Sequence, residues 1–323
     1  MSHFNVLVVG DVDYNMAPFH EFECDGIDDE FVQTIDVTDD YKKEFEEAKA
    51  QYAKEVAEGA DEKATRYSFK GKTFREFIEK YNGIHFAESV DKLDLTSHEK
   101  HKFRYFLPVE GAEDDFRVFK RTNPNKFYDY YGKGWKGLLL KEKGENGKDQ
   151  YVNEAYKRDV DFERMWKKRE EEVRANYRKV IQAIGFVPKL NRPWESLIPL
   201  FAPDDGSEPQ MTKKEASTIY ERQKAVKAFG KALKDGLISY DDVGIFGLVD
   251  EYAMSEDEFV ESKHIHALVF GWVKDREYHS EGDMGWWAFV SNEKEPKSWD
   301  KEYMDFINSL DDDDFLTIVN CHI

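Results

Sequence analysis

Residues Phe4 to Val9, Phe-Asn-Val-Leu-Val-Val, form a short apolar run stopped by Gly10-Asp11, which predicts a buried strand. A second strand is predicted across Phe31–Val37, where Phe31, Gln33, Ile35 and Val37 alternate with Val32, Thr34 and Asp36. Asp39 then caps a helix whose stripe is Tyr41, Phe45, Ala48, Tyr52 and Val56, ending near Gly59. Capping boxes, a Ser or Thr followed three residues later by Glu, mark helix starts at Thr73, Thr212 and Ser255. The longest helix is predicted from Asp161 to Ile184, with Gly185 as its stop, and another from Lys213 to Lys234. Between them Pro188, Pro193, Pro199, Pro203 and Pro209 predict an extended connection over 186–211. Further strands are predicted at Phe103–Val109, Phe116–Lys120, Gly134–Lys141, His264–Val273, Trp286–Ser291 and Phe315–Ile323, and a last helix at Trp299–Leu310 behind Ser298.

Strands and helices follow one another without a βαβ rhythm, and Gly10-Asp11-Val12-Asp13 is not G-x-G-x-x-G, so a Rossmann cofactor site is disfavoured. The expected fold class is α+β: a mainly antiparallel sheet containing the N- and C-terminal strands, with long helices packed against it. The alternation of Leu316 to Ile323 predicts a last strand that sits beside the first. Residues 1–323 read as a single α+β domain, with 155–240 a candidate helical insertion carrying the proline-rich connection 186–211.

Composition adds a constraint through the placement of charge. The net charge of −20 splits into 18 acids and 4 bases over residues 1–62, 28 and 37 over 63–240, and 21 and 6 over 241–323. Acidic flanks disfavour duplex nucleic acid, while the basic middle suits a small phosphate-bearing ligand. The same flanks could form one negative face that docks on a basic host protein. Long runs of like sign are also simply solvated faces. No run is long and apolar enough for a bilayer, and the start lacks the regions of a signal peptide, so a cytoplasmic protein without a membrane partner is expected. Cys24 and Cys321 show no metal spacing but could pair if the chain ends meet.

Four segments carry candidate chemistry. In Ala17–Cys24, His20 with Glu21 and Glu23 offers an acid–base pair or ligands for a divalent metal, against the common occurrence of such residues on surfaces. His264 and His266 fall on one face of a predicted strand, and a third metal ligand could come from His279, Asp283 or His322. The segment from Lys120 to Gly137 interleaves bases and aromatics around Asn-Pro-Asn and Gly-Lys-Gly turns. Arg121, Asn123, Lys126, Tyr130 and Trp135 are its candidate ligand-binding residues, with core packing of the aromatics as the alternative. Trp286 and Trp287 point to opposite faces of their strand, so one of them lines a cleft or packs a second face.

The chain resembles an uncharacterised tailed-bacteriophage protein family in His3-Phe4, Ala17 to Glu23, Arg121 to Asn125, Gly282 to Trp287 and Cys321-His322-Ile323. It departs from the family pattern at Asn320, where the family ending has Asp, and at Tyr131–Trp135, where it has Gly-Gly-Arg-Trp. The resemblance implies an accessory protein in the cytoplasm of the infected host, acting on host defence or metabolism, and carries no established activity.

The expected function is binding, with or without processing, of a small phosphate-bearing or nucleotide-like ligand. His20, Glu21, Glu23 and His322 would be catalytic, and Arg121, Asn123, Lys126, Tyr130, Trp135 and Trp286 would hold the ligand. The sequence names no cofactor; a divalent metal is the candidate. The alternative is a non-enzymatic inhibitor of a host protein that uses the acidic surface as a nucleic-acid mimic.

Overall fold

A computed structural model describes residues 3–21, 30–58, 85–86, 104–108, 116–141, 148–203, 207–244, 247–285 and 290–323. The strands are β1 (His3–Val9), β2 (Gln33–Asp36), β3 (His85–Phe86), β4 (Arg104–Pro108), β5 (Phe116–Thr122), β6 (Tyr130–Lys133), β7 (Leu139–Lys141), β8 (Gln150–Val152) and β9 (Glu154–Tyr156). They continue with β10 (Gly271–Lys274), β11 (Glu277–Ser280), β12 (Asp283–Met284), β13 (Val290–Ser291) and β14 (Phe315–His322). The helices are α1 (Val12–Met16), α2 (Thr38–Glu58), α3 (Phe162–Ile184), α4 (Trp194–Phe201), α5 (Lys213–Glu221), α6 (Lys224–Lys234), α7 (Tyr240–Val243), α8 (Glu256–Glu261) and α9 (Pro296–Ser309).

The fold is α+β, and its main sheet runs β11-β10-β1-β14-β6, with β9 also on β14. The first and last strands pair antiparallel from His3↔His322 to Val9↔Leu316, as their sequence patterns predict. The sheet is mixed rather than mainly antiparallel, because β1 pairs β10 in parallel. A second sheet, β2-β5-β4-β3, is formed by the chain that follows α1.

β1 and β14 are apolar on both faces because each face meets its own core. Leu7, Val9, Leu316 and Ile318 pack with Trp299, Tyr303 and Ile307 of α9 and with Phe162 and Met165 of α3. Phe4, Val6, Val8, Val319 and Cys321 pack instead with Met16, Phe19 and Tyr128. Burial pushes the Cys321 thiol up, so it stays protonated and inert. Its suggested partner Cys24 lies outside the described residues.

The later turns of α3 belong to a third core. Val173, Tyr177, Val180 and Ile184 meet Leu197, Tyr220, Phe229, Tyr252 and Phe259 in a helical region that reaches to Ile265. Gly185 ends α3 in the left-handed conformation, φ 87°, that a glycine adopts freely. Charge ties this region together: Arg174 pairs Glu256 and Asp257, Arg178 pairs Glu256, and Lys179 pairs Asp242. Part of the charge contrast between the middle and the last third is thus used inside the fold.

Several predicted boundaries move for identifiable reasons. The Lys213–Lys234 helix is two helices, broken where Gln223 turns extended and its side-chain amide bonds Asn191 N, Arg192 N and Arg192 O. The proline-rich connection contains α4, whose first amide, Trp194 N, donates to Asp250. Of the predicted strand His264–Val273 only residues 271–273 are strand, within Gly271–Lys274, because the amides of Ile265, His266 and Ala267 donate to the Asp300 carboxylate instead of a ladder. The last helix begins at Pro296, a residue whose missing N–H costs nothing at a first helical position, rather than behind Ser298. Within the predicted strand Gly134–Lys141 only Leu139–Lys141 pairs, while Tyr130–Lys133, not predicted, joins β14. The Thr212 and Ser255 capping boxes form as predicted; that at Thr73 lies outside the described residues. Among the described residues no helix is long and apolar enough to cross a membrane.

Leu7 is fully buried at the centre of the sheet. Leu7→Ala is expected to lower the unfolding free energy by about 2–5 kcal/mol, read from the urea midpoint at unchanged slope.

Candidate functional site

The segment Phe127–Tyr130 is held between two parts of the chain. Phe127 N donates to Phe19 O (3.0 Å), Tyr128 O accepts from Glu21 N (2.7 Å), and Asp129 N donates to His322 O (2.9 Å). The buried Asn123 amide secures the same region by donating to Pro18 O (2.6 Å) and His20 O (3.1 Å). The result carries the end of β14 and the His20 turn to one place.

At that place His322 is 4% exposed, and its Nδ1 faces both carboxylate oxygens of Asp129 at 2.6 and 2.7 Å. Those oxygens only accept, so Nδ1 carries a proton, and Nε2 is the ring nitrogen turned away from the carboxylate. Nε2 is buried and has no hydrogen-bond partner among the described residues. Tyr130 N donates to Asp129 Oδ1 (2.7 Å), which fixes the carboxylate further. A fixed carboxylate behind an imidazole whose second nitrogen is unpartnered is the arrangement of an oriented general base.

Aromatic rings surround the dyad. Tyr130, 53% exposed, stacks on His322 with centroids 4.4 Å apart, and His3 meets His322 edge-on at 4.9 Å. Trp135, 76% exposed, lies 4.8 Å from His3. The His3 Nδ1 faces Asn320 Oδ1 at 2.9 Å, and Asn320 Nδ2 donates to Asn5 Oδ1 at 3.3 Å. His3 is thereby anchored at one nitrogen with the other left for chemistry. Beside this cluster is a cavity of about 360 Å³ lined by Asp13, Ala17, His20, Tyr128, Tyr130 and Tyr131. Burial, with the hydrogen bond to Asp13, pushes the Tyr131 hydroxyl up, so it stays protonated.

The structure brings His20, Tyr130, Trp135 and His322 into this neighbourhood. Glu21 is in an ion pair with Lys126, and Asn123 is spent on the backbone of the His20 turn. Arg121 lies on β5 in the second sheet, where its backbone alone is described. Glu23 and Trp286 lie outside the described residues. Asp129 and His3 are not among the candidate residues that the sequence singles out. The signal for His3 was present, since pairing the first strand with the last sets it opposite His322.

His264 and His266 form a second polar cluster, though not on a strand face. His266 Nδ1 is 2.9 Å from Asp300 Oδ2, and His264 has Nδ1 3.8 Å from Asp300 Oδ1 and Nε2 2.9 Å from Glu281 Oε1. The partners suggested by sequence are engaged elsewhere: His279 stacks on Trp272, Asp283 accepts from Asn292, and His322 binds Asp129. Pairing with Asp300 and Glu281 pushes His264 up to about 9. Burial alone would raise Asp300, but the two imidazoles and the Ala267 and His266 amides outweigh it and hold its carboxyl well below the usual carboxylate range. Burial and the adjoining Glu281 push Glu293 up. A cavity of about 350 Å³ reaches His266 and Asp300.

Comparison with protein-family models, curated proteins and solved structures gives no match.

The Asp300 cluster makes stability depend on pH. The share from His264 is fully present below its unfolded value of about 6.5 and is lost as pH rises through about 9. The share from Asp300 runs the other way, present above about 4 and lost as pH falls below it. Urea midpoints measured from pH 5 to 10 are expected to decline between about 6.5 and 9, and His264→Gln to flatten that decline. Asp300→Asn, which leaves one of the amides Ile265, His266 or Ala267 facing a donor, is expected to cost about 2–3 kcal/mol at pH 6.

Proposed function

We propose that the protein binds a small nucleotide-like ligand at the His3–His322 cluster and hydrolyses a phosphoester bond in it by general acid–base catalysis. The observation that carries this reading is the Asp129–His322 dyad, with the buried His322 Nε2 unpartnered beside exposed rings. An unpartnered buried nitrogen costs folding free energy, which a ligand or an attacking water would offset by bonding it. Tyr130 and Trp135 supply flat faces on which a base stacks.

No serine, threonine or cysteine is hydrogen-bonded to His322 among the described residues, and Cys321 points into the core, so water is the nucleophile. In the forward step His322 Nε2 takes a proton from water as its oxygen bonds phosphorus. The bond from phosphorus to the leaving oxygen breaks, and that oxygen takes a proton from His3 Nε2. Asp129 keeps its charge and steadies the His322 imidazolium that forms. In the phage setting that the sequence resemblance implies, the substrate would be a host or defence-related nucleotide.

The reading is tested with nucleoside monophosphates and a chromogenic phosphodiester. Ligand is expected to raise the melting temperature, and Trp135→Ala to weaken that effect. His322→Gln and His3→Gln are each expected to lower turnover about 10²–10⁴-fold while the fold is kept. No stabilisation by any nucleotide, or turnover unchanged in His322→Gln, would overturn it.

A further inference from the structure

We propose that His264, Glu281 and Glu293 form a binding site for a divalent transition-metal ion, separate from the His3–His322 cluster, with Asp300 as the positioning residue behind the imidazole. One donor atom from each of the three side chains lies within 4.8 Å of the other two. An ion with ligand distances near 2.0–2.2 Å needs donors about 3.4 Å apart, so small side-chain rotations close the set.

The arrangement has more in it than a group of acids. The His264 Nε2 faces Glu281 Oε1 at 2.9 Å, while its other nitrogen faces Asp300 Oδ1 at 3.8 Å. That Nδ1 is buried without a hydrogen-bond partner among the described residues, so a small turn of the ring toward an ion would bring it onto Asp300 and complete the carboxylate–histidine–metal order. Asp300 is itself held by the Ile265, His266 and Ala267 amides, so the carboxylate that the imidazole would meet is positioned by backbone and not by another mobile side chain.

The backbone also forces the two glutamates together. Lys294 N donates to Glu281 O (2.8 Å), which seats the chain after β13 directly on Glu281, two residues before β12. Gly282 permits the approach: a Cβ there would stand 2.7 Å from Val290 Cγ1, 2.8 Å from Ser291 O and 3.1 Å from Glu293 Cα. Two carboxylates pressed together repel, and a cation between them removes that cost. One imidazole and two carboxylates suit Zn²⁺ or Mn²⁺, and a three-ligand set leaves coordination positions for water or substrate. Magnesium, which prefers oxygen donors alone, fits less well.

The test is calorimetric titration of the full chain with ZnCl₂, MnCl₂ and MgCl₂, together with the absorption spectrum of Co²⁺ added in their place. One equivalent of Zn²⁺ or Mn²⁺ is expected to bind more tightly than Mg²⁺, and Co²⁺ to give the visible bands of a low-coordinate nitrogen–oxygen site. Glu293→Gln changes an exposed side chain and should fold; it is expected to weaken binding at least about tenfold. Asp300→Asn is expected to weaken it about 10–100-fold and to shift the Co²⁺ bands, a change that loss of stability alone would not produce. No binding of Zn²⁺ or Mn²⁺ at about 1 mM, or equal affinity in Glu293→Gln, would overturn the site.

Discussion

The pairing of β1 with β14 is the interaction on which the rest depends. It places Leu7, Val9, Leu316 and Ile318 on one face and Phe4, Val6, Val319 and Cys321 on the other, so a single ladder nucleates two cores. The same register puts His3 opposite His322 and Asn5 opposite Asn320. Beyond Leu7 and Ile318 the first of these faces therefore turns from apolar to polar within one strand pair. The candidate catalytic cluster is the end of the ladder that the apolar core does not cover.

A shared economy links the two polar clusters. In each, one carboxylate sets both an imidazole and the local backbone: Asp129 accepts from Tyr130 N and His322, and Asp300 accepts from three successive amides and His266. Such carboxylates rigidify their surroundings, and Asp300 remains charged because the donors replace the water lost on burial. The helical region depends on charge differently, through Arg174, Arg178 and Lys179 against the acids at residues 242 and 256–257, pairs that salt screens.

Much of this architecture was legible in the sequence where local rules govern. The α3 helix, its glycine stop, two capping boxes and the neighbouring terminal strands follow from periodicity and end chemistry alone. What escaped depends on contacts distant in sequence. The alternation around His264–Ala267 resembles a strand, yet a carboxylate from α9 takes the amides that a ladder would need. Lys213–Lys234 has helical periodicity throughout, and only the anchoring of Gln223 to the chain at 191–192 splits it. For the candidate site, Tyr130, Trp135, His20 and His322 stood out by residue type, whereas Asp129 and His3 acquire meaning only from pairing across the sheet. Glu281 and Glu293 are likewise joined by a hairpin and not by any spacing motif.

That central ladder also sets an order of events during synthesis. His3 and Asn320, bonded in the finished molecule, are 317 positions apart in the chain. At translation rates of about 5–20 residues per second, β1 emerges roughly 15–65 s before its partner exists. The helical core, gathered from residues 173–265, has most of its contacts within reach of one stretch of nascent chain and can close in that interval. Until then the apolar residues of the first strand lack the partner strand that covers them in the finished molecule. A late step governed by long-range loop closure, rather than by helix formation, should therefore limit how fast the native sheet appears.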